Sequence, residues 1–143
     1  MRRLCKALVL FFMGGAVYAL IELLWRGRTH WTMMVLGGAL FLVLGQINEG
    51  VGWDTPLPIQ ALLGALVVTV AELVAGLVLN LWLGLGIWDY SNLPLNLWGQ
   101  ICLPYTLLWV PLSAVAVVMD DWLRYWIFWA ERPHYHLWGQ CKK

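Results

Sequence analysis

Residues 59–85 read IQALLGALVVTVAELVAGLVLNLWLGL, the longest apolar run in the chain, and their only charge is Glu72 near the middle. A hydrocarbon core about 30 Å thick takes roughly 20 apolar residues as a helix, and the run meets that length. In lipid no water satisfies the amides and carbonyls of a lone strand, so the run reads as a helix. Three further runs, about 7–25, 31–47 and 101–119, read the same way. The sequence therefore predicts an all-α integral membrane protein. It has four transmembrane helices in a single membrane domain, 1–143, with a C-terminal interfacial helix in the tail, 120–143.

Composition agrees. The 143 residues are 62% hydrophobic and 12% charged, whereas a soluble domain is nearer half apolar and a quarter charged. A formal charge of +1 leaves no basic face for nucleic acid. Most of the 11 tryptophans lie near the ends of the apolar runs, where amphipathic rings meet the lipid headgroups. Cys5, Cys102 and Cys141 are odd in number and match no metal spacing, so they read as free thiols. His134 and His136 could bind a metal, but two histidines alone do not make a case for a metal site. The start, MRRLCKALVLFFMGGAVYAL, resembles a signal peptide, but its apolar run continues to Trp25 and reads as an uncleaved first span.

The connections are short, and they carry end signals. Thr29 can cap the second helix, and Thr55-Pro56 can open the third. Pro104 lies near the start of the fourth helix, and Pro111, well inside it, should kink it. Seven of the nine basic residues (Arg2, Arg3, Lys6, Arg124, Arg132, Lys142 and Lys143) flank the outer ends of spans one and four, and Arg26 and Arg28 lie on the other side. Basic residues mark the cytoplasmic face. Both termini are therefore expected in the cytoplasm. In the tail, Trp122, Tyr125, Trp126, Phe128 and Trp129 suit a helix lying in the interface. A short repeat also shows: GGAVYALIEL at 14–23 aligns with GALVVTVAEL at 64–73, an offset of 50. It is consistent with two parallel copies of one helix hairpin.

Glu22 and Glu72 are the sharpest functional candidates. A carboxylate at membrane depth faces a bundle interior or a hydrated cavity. Tyr18, Glu22 and Arg26 recur every fourth residue. Thr69, Glu72, Gly76 and Asn80 also keep helical spacing. Each set is a polar stripe flanked by glycine, which allows close helix contact. Both acids have a purely structural alternative. Glu22 can pair with Arg26 one turn on, and Glu72 can hydrogen-bond across helices. In the third connection, IWDYSNLPLNLWGQI, Asp89 is the only charge. It is expected to meet Arg26 or Arg28 and tie the ends of spans one and three. Asn92-Leu93-Pro94 reads as a turn, and Asn96 or Gly99 can begin the fourth helix.

These residues carry a resemblance. ELVAG at 72–76, WDYS at 88–91, Asn96, Gly99-Gln100-Ile101, Leu103 and Trp109, with YALIELLWRGRTHWTMMVLGG and GQINE upstream, resemble the CmpB-like family of ABC-transporter permeases. The transmembrane protein 229 group is related to it. The resemblance spans roughly residues 12–135 and implies a multi-span membrane protein, and because the upstream segments look like the bacterial members, one in the cytoplasmic (inner) membrane of a bacterium. It carries over Glu22, Glu72 and Gly76, and Trp88, Asp89, Tyr90 and Ser91 in the loop. It transfers no catalytic residues.

The leading expectation is a permease-like or channel-like transport subunit that needs no cofactor. Glu22, Glu72, Tyr18, Thr69 and Asn80 would line its path. Trp88, Asp89, Tyr90, Ser91, Asn96, Arg26 and Arg28 would form an outer gate. The chain has no Gly-rich phosphate loop ending in Lys-Ser or Lys-Thr, so any P-loop ATPase is a separate chain. Four spans make a narrow path, so a homo-oligomer, a dimer first, is expected in the bilayer. The alternatives are a structural or regulatory protein that docks a partner through its Trp-rich tail and, less favoured, an intramembrane lipid-modifying enzyme.

Overall fold

The computed structural model describes residues 2–52 and 54–137, without the side chains of Arg2, Asn48 and Glu49. The expectations for Cys141, Lys142 and Lys143 lie outside the described residues. Helices dominate: α1 (Arg2–Arg26), α2 (Trp31–Leu44), the short α3 (Ile47–Val51), α4 (Leu57–Gly76) and α5 (Leu103–Phe128). α4 continues into a π-helical stretch, Leu77–Trp82. A two-residue hairpin pairs β1 (Asn96–Leu97) antiparallel with β2 (Ile101–Cys102). Among the described residues three helices are long and apolar enough to cross a membrane, Arg3–Arg26, Leu57–Trp82 and Leu103–Phe128, and Trp31–Leu44 is a shorter apolar helix. At about 1.5 Å per residue α2 covers roughly 21 Å. This is an all-α membrane protein.

The chain folds as two helix hairpins, α1–α2 and α4–α5, with α2 also lying on α4 and α5. The first hairpin is held by glycines. A β-carbon at Gly15 would lie 2.5 Å from the Met34 carbonyl oxygen, and one at Gly38 would lie 2.5 Å from that of Phe11. Gly14 meets Phe41, and Gly37 meets Tyr18. Lipid supplies no hydrophobic drive between helices, so this backbone-to-backbone approach supplies van der Waals contact instead. In the second hairpin Gly64 meets Ser113. Gly14 and Gly64, 50 residues apart, thus each sit against the partner helix of their own hairpin. Between the hairpins lies the core: Leu40 and Leu44 of α2, Val68 of α4 and Val117 of α5.

Some helix ends differ from expectation. His30 caps α2, its Nδ1 facing the Thr32 N–H and hydroxyl, while Thr29 turns to Glu22. Thr55 gives its hydroxyl to the Val51 carbonyl, and Pro56 precedes α4 without a side-chain cap. α5 runs unbroken across Pro111 and beyond residue 119 to Phe128. The expected interfacial helix is therefore, up to Phe128, the last two turns of α5. The two acids at the junction do not break it. Asp120 pairs with Arg124 one turn on, and Asp121 accepts from the Tyr135 hydroxyl at 2.7 Å. Burial and the Asp121 carboxylate push the Tyr135 phenol above its usual range, so it stays a donor. Trp129, in the left-handed region at φ 56°, ends the helix. Residues 129–137 then fold back, and the Leu57 N–H donates to the His136 carbonyl at 2.8 Å.

Candidate functional site

A groove of about 390 Å³ runs along the bundle between α1 and α5. Gly37, Leu40, Phe41 and Leu44 of α2 and Val68 of α4 form its floor. Val17 and Ile21 of α1 face Leu108 and Val115 of α5 across it, and all four rim residues are exposed while most of the floor is buried. The groove therefore opens sideways, on the face that meets lipid. From Tyr105 to Met119 it follows α5 for about 21 Å, at about 1.5 Å per residue.

One end is polar. Glu22 and Arg26, a turn apart on α1, form an ion pair at 2.8 Å. The Thr29 hydroxyl donates to the other Glu22 oxygen at 2.5 Å, so both carboxylate oxygens are engaged. Arg26 also donates to the Ile87 carbonyl at 3.0 Å, joining α1 to the loop after α4. Tyr90 stacks on Tyr105, ring centres 4.7 Å apart, and both line this end of the groove. Burial and the nearby Glu72 carboxylate push the Tyr90 phenol well above its usual range, which keeps it protonated. Arg28 lies exposed beside a smaller hollow of about 190 Å³ that it shares with Glu22, Thr29 and His30.

Glu72 sits behind the groove wall. It is buried, does not line the groove, and accepts the Trp109 indole N–H at 2.7 Å. Trp109 in turn stacks on Tyr18 at 6.2 Å, and both rings line the groove. A two-ring partition therefore separates the acid of the second hairpin from the groove, whereas the acid of the first borders it. Thr69 meets the Thr106 hydroxyl at 3.5 Å and bridges α4 to α5.

Asn80 is a loop anchor. In the π-helical stretch the N–H of Leu83 reaches back five residues to Val78 at 2.9 Å. Such widening sets a side chain off the ordinary helical register. The Asn80 amide donates to the Trp88 carbonyl at 3.0 Å and to Gln100 Oε1 at 2.8 Å, and it accepts from the Ile87 N–H at 2.7 Å. Trp88 is buried and donates its indole N–H to the Gln100 carbonyl at 2.9 Å. Gln100 packs on Gly76, where a β-carbon would lie 2.5 Å from its Oε1. Asn96 bonds the Ser91 and Leu93 carbonyls and the Gly99 N–H. Together these form a cap over the bundle end, with Tyr90 as its underside.

The expected pairing of Asp89 with Arg26 or Arg28 is not made. Asp89 is exposed and turns back to accept the Ser91 N–H at 2.8 Å. Arg26 is already committed to Glu22 and Ile87. An Asp whose acceptor reaches its own backbone two residues on closes a turn without any distant partner. The Ser91 hydrogen bonds hold the Asp89 carboxyl below its usual range. A lowered native pKa stabilises the turn above the unfolded value, about 3.9, and that contribution fades as pH falls through the native value. The Ser91 amide should therefore keep its hydrogen-exchange protection from neutrality to about pH 4 and lose it only below. In Asp89→Asn the acid-dependent step should vanish.

The structure thus brings Tyr18, Glu22, Arg26 and Tyr90 together at one end of the groove. It places Glu72 behind them. Trp88, Ser91, Asn96 and Asn80 build the cap. Trp109, Gln100, Thr29 and Tyr105 hold these groups in place and were not singled out as site residues. Only their spacing in the family motif marked Trp109 and Gln100. Among the described residues no group of three or more His, Cys, Asp or Glu is placed to hold a metal ion, and Cys5 and Cys102 are free thiols.

Fold and site define a class: a polytopic helical membrane protein with polar side chains gathered beside a side-opening groove. Residues 9–134 match the model of the family described as "Putative ABC-transporter type IV", and the chain belongs to that family. Comparison with curated proteins and with solved structures finds no match.

Proposed function

We propose that this chain is the membrane subunit of a transporter and that cargo enters it through the groove between α1 and α5. The observation that carries the reading is the Glu22–Arg26 pair, set at the end of an otherwise apolar groove. Ionisable groups within a bundle mark substrate or ion paths. Glu22 and Arg26 are the polar end of the path, Glu72 sets the Trp109–Tyr18 partition, and the Tyr90 cap closes it. Residues 1–143 hold no P-loop, so energy from ATP would come from a separate ATPase unit. A homodimer in a bacterial cytoplasmic membrane, both termini inside, fits the narrow bundle and the seven-to-two split of basic residues.

Proteoliposomes test this. They are assayed with a pH-sensitive dye, labelled monovalent cations, labelled amino acids and fluorescent amphiphiles. At least one should move faster with the protein present. Glu22→Gln, which keeps the size but loses the ion pair, should slow that flux about tenfold, roughly the 1.4 kcal/mol of one modest electrostatic contact. Vesicles holding folded protein that stay tight to the whole panel would overturn the reading.

A second reading has its own observation. Trp126 and Trp129 are 72% and 92% exposed at the end of α5, a surface suited to a partner in a structural or regulatory role. Replacing both by alanine should then abolish co-purification of a membrane partner and leave flux unchanged.

A further inference from the structure

We propose that the groove between α1 and α5 binds a single-chain amphiphile with an anionic oxygen head, a carboxylate or a phosphate. The proposal rests on the groove being the cargo site of the transport reading, and it names the chemistry of that cargo.

The argument starts from what the polar end has left to offer. A guanidinium carries five N–H donors and no acceptor. Arg26 spends one on Glu22 and one on the Ile87 carbonyl, which leaves three. Each Glu22 oxygen already accepts one hydrogen bond, from Arg26 or from Thr29. The hydroxyls of Tyr18 and Tyr90 make no hydrogen bond among the described residues, and both side chains line the groove. Arg28 adds a positive charge beside Glu22. Lining this end, the unspent charged donor is therefore Arg26, and the two phenol hydroxyls can donate beside it, while Arg26 and Arg28 together balance Glu22 and the buried Glu72. Donors arranged this way favour an acceptor-rich anion and oppose a cation.

The rest of the groove specifies what the anion is attached to. For about 21 Å beyond Tyr105 the lining is almost all hydrocarbon: Val17, Leu40, Phe41, Leu112, Val115 and Met119. A free hydrophilic anion would leave this surface uncovered, whereas an alkyl chain covers it without loss. The volume of about 390 Å³ lies at the low end of the range for small-molecule sites, about 300–1,000 Å³, and suits one chain rather than two. The exposed rim lets such a molecule enter sideways from the bilayer, its head staying at the level of the Tyr90 cap.

The test uses the full chain in phosphatidylcholine nanodiscs, with a hexadecanoate probe bearing a mid-chain diazirine. After illumination, peptide mapping should place the label on Leu112 and Val115, above the level on the exposed Leu62 and Leu66 of α4. Hexadecanoate and hexadecyl phosphate should compete, and the one effective at lower concentration identifies the head. Hexadecyltrimethylammonium and butyrate should not compete. Val115→Trp, which fills the groove from an exposed rim position, should cut groove labelling at least tenfold while Leu62 and Leu66 stay labelled. Tyr90→Phe keeps the ring stack and should raise the half-saturating concentration of the anionic probe several-fold. Equal labelling of α4 and groove, competition by the cationic amphiphile, or no effect of Val115→Trp would each overturn the proposal. Binding without flux in proteoliposomes would leave this site standing and remove the transport reading. Flux that anionic amphiphiles do not compete for would do the reverse.

Discussion

Gly38→Leu should leave little folded protein. The first β-carbon would lie 2.5 Å from the Phe11 carbonyl oxygen, a backbone atom that cannot swing aside as a side chain would. Overpacking typically costs about 1–3 kcal/mol. Here the whole α1–α2 contact must open, and the expected loss is at the top of that range or beyond. Gly38→Ala decides between opposing effects. Helix propensity favours alanine over glycine by about 1 kcal/mol, yet its single methyl meets the same carbonyl, so the clash should win and the alanine variant should also melt earlier. Gly50→Ala is the control. Nothing lies within 4 Å of a β-carbon there, and only the propensity gain remains. Thermal unfolding with size-exclusion profiles in mild detergent orders the series. A Gly38→Ala variant as stable as the parent would show that the close approach of α1 and α2 is not what holds the hairpin.

The second large effect is expected at Asn80. Asn80→Ala removes three hydrogen bonds at once, to Trp88, Gln100 and Ile87, and leaves the Ile87 N–H without its acceptor. At about 1 kcal/mol each, with a further charge for orphaned buried groups, the loss is about 3–4 kcal/mol. It falls on the cap rather than the bundle, because the helix contacts stay intact. Hydrogen exchange should speed up by two or more orders of magnitude at Ile87, Tyr90 and Gln100, with little change in α1 and α2. Asn80→Asp keeps one acceptor and loses both donors, so it should loosen the cap less at Ile87 than at Gln100. A cap that stays protected in Asn80→Ala would show that Trp88 burial alone secures it.

Glu22–Arg26 was legible from spacing, since residues four apart on a helix face each other whatever the fold. The same rule could not see Thr29, which reaches Glu22 from beyond the helix end. Glu72 stood out as a lone acid at membrane depth, but its partner Trp109 is 37 residues away. No periodicity links the two. Asp89 misled, because charge counting pairs opposite signs on one side of a membrane. The Ser91 amide two residues away and the prior commitment of Arg26 decided the contact instead. The end of α5 misled for a related reason. The tail was expected to begin at Asp120, but Asp120 pairs with Arg124 and Asp121 accepts the Tyr135 hydroxyl, so the helix runs on through both acids.

Read alone, the chain settles its solvent, its helices and its family. Those follow from summed transfer free energies over 20-residue windows, from contacts one turn apart, and from the spacing of the WDYS and ELVAG segments. Packing sets the rest. It decides that Glu22 borders a groove while Glu72 lies behind two stacked rings, that Asn80 holds a cap, and that the hydroxyls of Tyr18 and Tyr90 meet no hydrogen-bond partner among the described residues. These depend on which faces of α1, α4 and α5 meet, and a single sequence encodes that meeting only through side chains far apart along it.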